Sequence, residues 1–397
     1  MRILFAVPHY APLRTSSAKM MYDLGQEFVR RGHEVIVATP GENPGGDVQT
    51  SVEDGVTVLR FPIGRIRGIN IIRRTINEMR ISAVMLGKGR RFFEEHRCDL
   101  VIFWSPTLFL GKLARSLKRM WNCRTYLIVR DIAPQWYVDS GVLRKGLIYW
   151  YFKQMELLQY GVSDTIGYQS PANLQYFTDQ GYEKRYSFEL LYNWIDTSTI
   201  PARPAHIRER FNLQGKILFT YGGSMGTAQD MDSVMMLADR LQSEEQVHFL
   251  LVGEGNEVER IRAFVKEKGL SNLTLLGAVA QEDYLGMLGE SDVGLVTLNQ
   301  RLTTHNFPGK MLGYMLCSLP LLACVNPQND MKHAVEEAEA GFVTDNGDYE
   351  ELLRNAVKLI GSAELRKKMG ANARKLLEDH FSVVRAADTM LSHMGNL

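Results

Sequence analysis

Cysteine is scarce. The chain of 397 residues holds four, Cys98, Cys123, Cys317 and Cys324. None stands at CxxC spacing, which argues against a zinc site and a disulfide framework and suits a reducing cytoplasm. No apolar run approaches the roughly 20 residues that cross a bilayer. The opening run Ile3-Leu4-Phe5-Ala6-Val7 is cut by Pro8, too early for the core of a signal peptide. Excess charge is lacking too: 46 Lys and Arg against 45 Asp and Glu leave a net +1, so no global field draws the chain to a polyanion. The expectation is a cytoplasmic protein, soluble or peripheral, long enough for two or three domains.

What the chain does have is rhythm. Short apolar runs alternate with helical stretches, the pattern of parallel sheets with crossover helices. In the first half this predicts strands at 2–7, 33–38, 56–61, 98–103, 124–130, 163–168 and 186–192, with helices near 16–31, 70–95, 107–121, 143–160 and 171–179. In the second half it predicts strands at 216–221, 247–252, 272–277, 292–297, 319–324 and 341–344, and a helical end from 363. The polar, proline-broken stretch from Asp196 to Pro204 reads as a linker. The fold class is therefore α/β, with Rossmann-like domains at 1–196 and 197–397 and the last helix a candidate to pack back on the first.

Tyr221-Gly222-Gly223-Ser224-Met225-Gly226 follows a strand and precedes a helix. Glycine lets the backbone approach a pyrophosphate, and a helix N-terminus favours negative charge. The same glycines also make an ordinary turn, and the motif alone does not separate the two. Lys310 follows Pro308-Gly309, in the first turn of a predicted helix. The helix dipole disfavours a cation there, which invites an anionic partner, while a solvated lysine would tolerate the small penalty. Glu254 ends the strand Val247 to Val252 between two glycines and suits either a sugar-nucleotide hydroxyl or the start of the next helix. Arg130-Asp131 closes another strand, where Asp131 could accept a hydroxyl proton unless the two only pair with each other. His9 lies in the loop after the first strand. Asp230-Met231-Asp232 has the form of a metal-binding DxD, but acids are simply favoured in a first helical turn, and no metal is assigned. From Arg65 to Arg91 eight basic residues stand against the acid Glu78 and interleave with isoleucine and methionine. That composition fits an anionic membrane surface or a solvated basic face; no nucleic-acid motif accompanies it.

Several segments together resemble the family 4 group of GT-B glycosyltransferases. They are Pro8-His9-Tyr10-Ala11-Pro12 with Ser16-Ser17-Ala18-Lys19-Met20, Arg31-Gly32-His33-Glu34-Val35, Arg130-Asp131-Ile132-Ala133-Pro134, Tyr192-Asn193-Trp194-Ile195-Asp196, the glycine turn, Leu251-Val252-Gly253-Glu254-Gly255, and Thr303-Thr304-His305-Asn306-Phe307-Pro308-Gly309-Lys310-Met311-Leu312. The last is similar to O-antigen N-acetyl-L-fucosamine transferases. The resemblance implies two Rossmann-like domains facing a cleft and no cofactor, with a UDP-sugar as substrate. It further implies a donor site of Gly222, Gly223, Ser224, Met225, Gly226, Glu254, Thr304, His305, Asn306, Lys310, Met311 and Leu312. An acceptor side at His9, Ser16 and Ser17 follows from it, and chemistry at Asp131, Arg130 and Lys310. Partners implied are a polyprenyl-diphosphate-linked saccharide and the inner membrane, through 65–91. The family's glutamate pair is missing: its second member falls at Gly313, its first near His305. A nicotinamide dehydrogenase would need a GxGxxG that this chain lacks. A non-catalytic sugar-nucleotide scaffold or a nucleotide-sugar epimerase of the same fold remains as an alternative.

Overall fold

The structure, a computed structural model, describes residues 1–13, 15–139, 141–198, 204–302, 307–392 and 394. The chain forms two compact units. One comprises Met1–Ile195 together with Val383–Leu397, and the other is Asp196–Ser382.

The first unit is built on β1 (Arg2–Ala6), β2 (Glu34–Gly41), β3 (Gln49–Glu53), β4 (Val56–Pro62), β5 (Leu100–Ser105), β6 (Arg124–Val129), β7 (Thr165–Tyr168) and β8 (Phe188–Leu190). They lie in the order β3-β4-β2-β1-β5-β6-β7-β8. Its helices are α1 (Ser16–Arg30), α2 (Ile71–Glu95), α3 (Gly111–Trp121), α4 (Gln135–Asp139), α5 (Leu147–Val162) and α6 (Asn173–Asp179). β5, Leu-Val-Ile-Phe-Trp-Ser, is buried throughout, because both faces of a parallel sheet are covered. Val101 and Phe103 join one core with α2, α3 and α5, whereas Leu100, Ile102 and Trp104 join another with α1. α1 starts where the Thr15 hydroxyl accepts the Ala18 amide at 3.1 Å, an N-cap that supplies one missing backbone partner.

Two expectations are corrected here. β3 pairs antiparallel with β4 through Asp54-Gly55, both at positive φ, so the sheet is not purely parallel. The helix expected at 143–160 is α5, which starts later, at Leu147, and an unexpected short helix, α4, precedes it.

The second unit carries β9 (Ile217–Ser224), β10 (Val247–Glu254), β11 (Leu273–Leu276), β12 (Val293–Thr297), β13 (Leu321–Val325) and β14 (Gly341–Asp345). Every pairing is parallel, in the order β11-β10-β9-β12-β13-β14. Helices α7 (Ile207–Arg210), α8 (Met231–Arg240), α9 (Val258–Lys268), α10 (Gln281–Leu288), α11 (Gly309–Leu316), α12 (Asp330–Glu337), α13 (Tyr349–Gly361) and α14 (Ala363–His380) connect and cover them. β9 is central, and the strand order reverses beside it, which puts its carboxyl end where parallel sheets open a ligand crevice. The unit stops at Ser382. The last helix, α15 (Val383–Ser392), belongs to the first unit. There Val383, Ala387 and Met390 are buried with α1, and Asp388 pairs with Arg31 at 2.7 Å. Among the described residues no helix is long and apolar enough to cross a membrane.

Phe103 is fully buried in the core beneath α2 and α3. Phe103→Ala is therefore expected to cost roughly 3–5 kcal/mol, read as a lower urea midpoint for the first unit. A midpoint equal to wild type would show that this face of the sheet is not packed as described.

Candidate functional site

At the carboxyl end of β9 side chains give way to bare backbone. β9 and β10 run in register with Gly253 opposite Gly223 and Glu254 opposite Ser224. A Cβ on Gly253 would overlap the Gly223 carbonyl oxygen, and one on Gly255 the Met225 carbonyl. Gly223 itself has φ +105, a conformation costly for any residue with a Cβ. On the opposite side of the strand a Cβ at Gly222 would run into the Tyr284 phenol. Only glycine lets α10 and β10 come this close to β9.

The expected cradle of free amides is corrected. The Gly222 amide donates to the Tyr314 hydroxyl at 2.9 Å, Met225 to the Glu254 carbonyl at 2.8 Å, and Gly226 to the Gln229 side chain at 3.1 Å. The helix expected to follow directly is also delayed, since residues 227–229 form a short 3-10 turn and α8 begins at Met231. Met225, expected to touch donor, is a core side chain, and so are Met311 and Leu312. What stays open at this end is Gly223, Ser224, Glu254 and Gly255. Glu254 is the last residue of β10, with the N-cap of α9 at Glu257, so it is not a helix-capping acid.

Lys310 stands in the first turn of α11. Its Nζ is buried and finds no hydrogen-bond partner among the described residues. It lies 3.5 Å from the centre of the Tyr221 ring, and its Cε is close to Gly223. A ring face attracts a desolvated ammonium by about 2 kcal/mol, less than the several kcal/mol that an ion loses on leaving water. Burial accordingly pushes the Lys310 pKa well below that of an ordinary lysine. The charge of this lysine is incomplete without an anion. Burial has the opposite effect on the surrounding phenols Tyr221, Tyr284 and Tyr314, all held above the ordinary tyrosine range, so they stay neutral donors.

Gly313 packs beneath Leu288 and Tyr284. The space above the position where the resemblance expects a carboxylate is taken by α10. Asp230 accepts from Asn346 at 2.6 Å and Asp232 pairs with Arg260 at 2.5 Å, so each acid of the Asp-Met-Asp triplet has its own protein partner. Thr304, His305 and Asn306 lie outside the described residues.

The first unit places its expected residues at the same kind of strand end. His9 follows β1 with Nδ1 3.5 Å from the Ser17 hydroxyl. Burial, then Arg67 and Arg74, lowers its pKa to about 4, so near pH 7 it is a neutral imidazole. Ser17 is half-buried and Ser16 exposed, both in the first turn of α1. Asp131 follows β6, and burial raises its pKa against the pull of Arg130. The two form no ion pair within 4 Å among the described residues. Arg130, expected beside the chemistry, is 7% exposed. It donates to the Leu191 carbonyl at 2.7 Å and stands between Trp194 at 4.9 Å and Trp104 at 5.8 Å. Its Nε and Nη2 are buried without a hydrogen-bond partner among the described residues.

Two Rossmann-like units with a glycine-lined strand end define an α/β enzyme of the GT-B fold class. The chain is a glycosyltransferase by both of its halves: residues 17–193 match the family described as glycosyl transferase 4-like domain, and residues 203–376 match the family described as glycosyl transferases group 1. It is similar to WcaI of Escherichia coli, a candidate colanic acid biosynthesis glycosyl transferase, at 23% identity over 78% of this chain and 80% of the relative. HepE of Anabaena, solved with UDP and glucose, shares the fold at TM-score 0.70 and 16% identity over 100% of both chains. WaaG, a glycosyltransferase involved in lipopolysaccharide biosynthesis, does so at TM-score 0.65 and 16% identity, covering 98% of this chain and 99% of its own.

Two measurements test this geometry. Gly253→Ala must separate β9 from β10 and is expected to lose about 1–3 kcal/mol, whereas Gly277→Ala, which meets nothing within 4 Å, should be silent; equal midpoints would refute the close approach. For Lys310 the folded pKa lies below the unfolded value of about 10.4, so between the two the unfolded chain binds more protons. Its contribution to stability therefore rises with pH through that window and falls as pH drops. Lys310→Met should raise the melting temperature of the unliganded protein near pH 7 and flatten its climb toward about pH 10; an unaltered slope would place the ammonium in water.

Proposed function

We propose that the chain transfers a sugar, an N-acetylated deoxysugar, from a UDP-sugar to a polyprenyl-diphosphate-linked saccharide during assembly of a cell-surface polysaccharide such as O-antigen or capsule. The observation that carries this reading is Lys310, a buried ammonium without an anion beside the open end of β9. A donor diphosphate at Gly223 and Ser224 would supply the missing charge. Lys310 would then stabilise the negative charge that develops on the departing UDP, where this reaction needs help. Glu254 and Ser224, both exposed at that strand end, would hold hydroxyls of the donor. Thr304, His305 and Asn306 are proposed for the donor sugar on the strength of the resemblance.

In the first unit the neutral imidazole of His9, with Ser17, suits a hydroxyl of the acceptor. Asp131 is the proposed general base, its raised pKa making the carboxylate a better proton acceptor. Support for UDP comes from HepE, solved with UDP and glucose; support for surface polysaccharide comes from the names of WaaG and WcaI. The same reading puts the enzyme on the inner face of the cytoplasmic membrane, attached through the basic segment 65–91.

A ligand that binds the native state alone stabilises it, by about 2.7 kcal/mol at a hundredfold excess over Kd. UDP is expected to raise the melting temperature more than GDP, dTDP or ADP do, and Lys310→Ala to lose most of that increase. An equal UDP shift in Lys310→Ala would remove this lysine from the site, and a larger shift with GDP would overturn the choice of donor.

A further inference from the structure

One flank of the first unit exposes large apolar side chains on two of its helices. α2, α3 and α5 cover the same sheet face, since Met85, Leu117 and Tyr160 share one core. α3 packs against both of the others. Phe109 ties the three together. Its carbonyl accepts the α2 hydroxyl of Ser82, and its ring lies 6.3 Å from Tyr151 and 6.1 Å from Phe152 of α5.

The outward side of this layer is apolar where water should meet polar groups. Ile72, Ile76 and Met79 recur at helical spacing along α2 and are all exposed, Ile72 by 71%. At the start of α5 Leu147 is 90% exposed, Ile148 63% and Trp150 61%. Successive residues point to different sides of a helix, so this first turn is apolar nearly all round; Tyr151 and Phe152 pack on Phe109, and Leu147, Ile148 and Trp150 are left exposed. Scattered exposed leucines are ordinary, but a contiguous apolar group of this size marks an interaction site.

Charge decides the occupant. Arg73, Arg80, Lys112, Arg115, Arg144 and Lys145 are exposed on the same three helices and the loop before α5. None has an ion-pair partner among the described residues, while the acid within this face, Glu78, is taken by Arg74 at 2.8 Å. A second copy of the chain would set these cations against one another across a two-fold interface. An anionic bilayer supplies what is absent: negative headgroups for the cations, and an interfacial layer in which Trp, Tyr and Leu are favoured.

We propose that the first turns of α5, Leu147 to Tyr151, are a wedge that enters the headgroup region of an anionic membrane, with the cations of α2 and α3 seated on the lipid phosphates around it. This deepens the membrane reading given above: the most exposed apolar anchor, at the start of α5, lies outside 65–91, and the basic segment, with Ile72, Ile76 and Met79, orients it. The placement rests on membrane attachment and not on the identity of the donor.

The full-length protein would be mixed with vesicles of phosphatidylcholine alone and of phosphatidylcholine with phosphatidylglycerol, then followed by sedimentation and tryptophan emission. Binding to the anionic vesicles with a blue shift is expected. Leu147→Gln with Ile148→Gln should weaken it by at least about tenfold, as the loss of two inserted aliphatic side chains requires. Trp150→Phe should remove most of the shift while leaving sedimentation largely intact. Lys112→Glu with Arg115→Glu should abolish the preference for the anionic vesicles. The UDP-dependent thermal shift should be unchanged in all of these variants, which shows that they fold and keeps a failure here separate from a failure of the donor reading. Wild-type protein that sediments with neither vesicle, or a Leu147→Gln, Ile148→Gln variant that binds as wild type does, would overturn the proposal. So would a solution dimer that this double variant dissociates while vesicles remain unbound, which would assign the wedge to contact between copies.

Discussion

The second unit depends on how closely two strands can approach. Where β9 and β10 end, the carbonyls of Gly223 and Met225 occupy the positions that side chains at 253 and 255 would need. That contact brings Ser224 and Glu254 side by side, and the Glu254 carbonyl fixes the Met225 amide. On the other side of β9, the Tyr314 hydroxyl fixes the Gly222 amide and Tyr284 closes over Gly222. The strand end is held by its neighbours through glycine-specific contacts, and Lys310 is the one cationic group that the described residues bring to rest upon it without a partner. An open site for an anion thus arises from tight packing and not from slack.

The first unit uses similar means for a different end. Its charged pair after β6 looks reactive in one dimension, yet Arg130 is turned inward and fixed by two tryptophans and the Leu191 carbonyl. This links the end of β6 to Trp194, whose indole in turn donates to the Met20 carbonyl of α1 at 2.7 Å. Asp131 has no ion-pair partner among the described residues and stands beside a buried guanidinium whose Nε and Nη2 are themselves unpartnered there, in a setting where burial favours its protonated form. A carboxyl group under that constraint is better suited to exchanging a proton than one held in a strong pair.

Much of this was legible in the sequence, because the alternation of apolar runs and helices is a direct consequence of a sheet covered on both faces. β3 escaped because Gln49-Thr50-Ser51-Val52-Glu53 is an edge strand whose Val52 faces solvent; no buried face imprinted a pattern on it, and only Asp54-Gly55 marked the hairpin. The position of Lys310 could be read from Pro308-Gly309, but not its environment, since Tyr221 lies far away in the chain. Whether a turn amide is free was equally unreadable. The partners that consume the amides of Gly222, Met225 and Gly226 come from α11, from β10 and from Gln229, and only the folded chain brings them together. Tyr284 and Tyr314 gave no functional signal, because an aromatic residue on a helix reads as core.

The resting position of Lys310 over Tyr221 also bears on how tightly a ligand can be held. In most ion pairs the cation must shed its hydration shell at the moment of association, and that loss subtracts from affinity. Here the ammonium has been dried during folding, and a π-face keeps it in place meanwhile. An arriving anion meets an amine already positioned and dried, and draws it back toward its charged form, so the dehydration half of the exchange has been transferred from recognition to the stability of the empty protein.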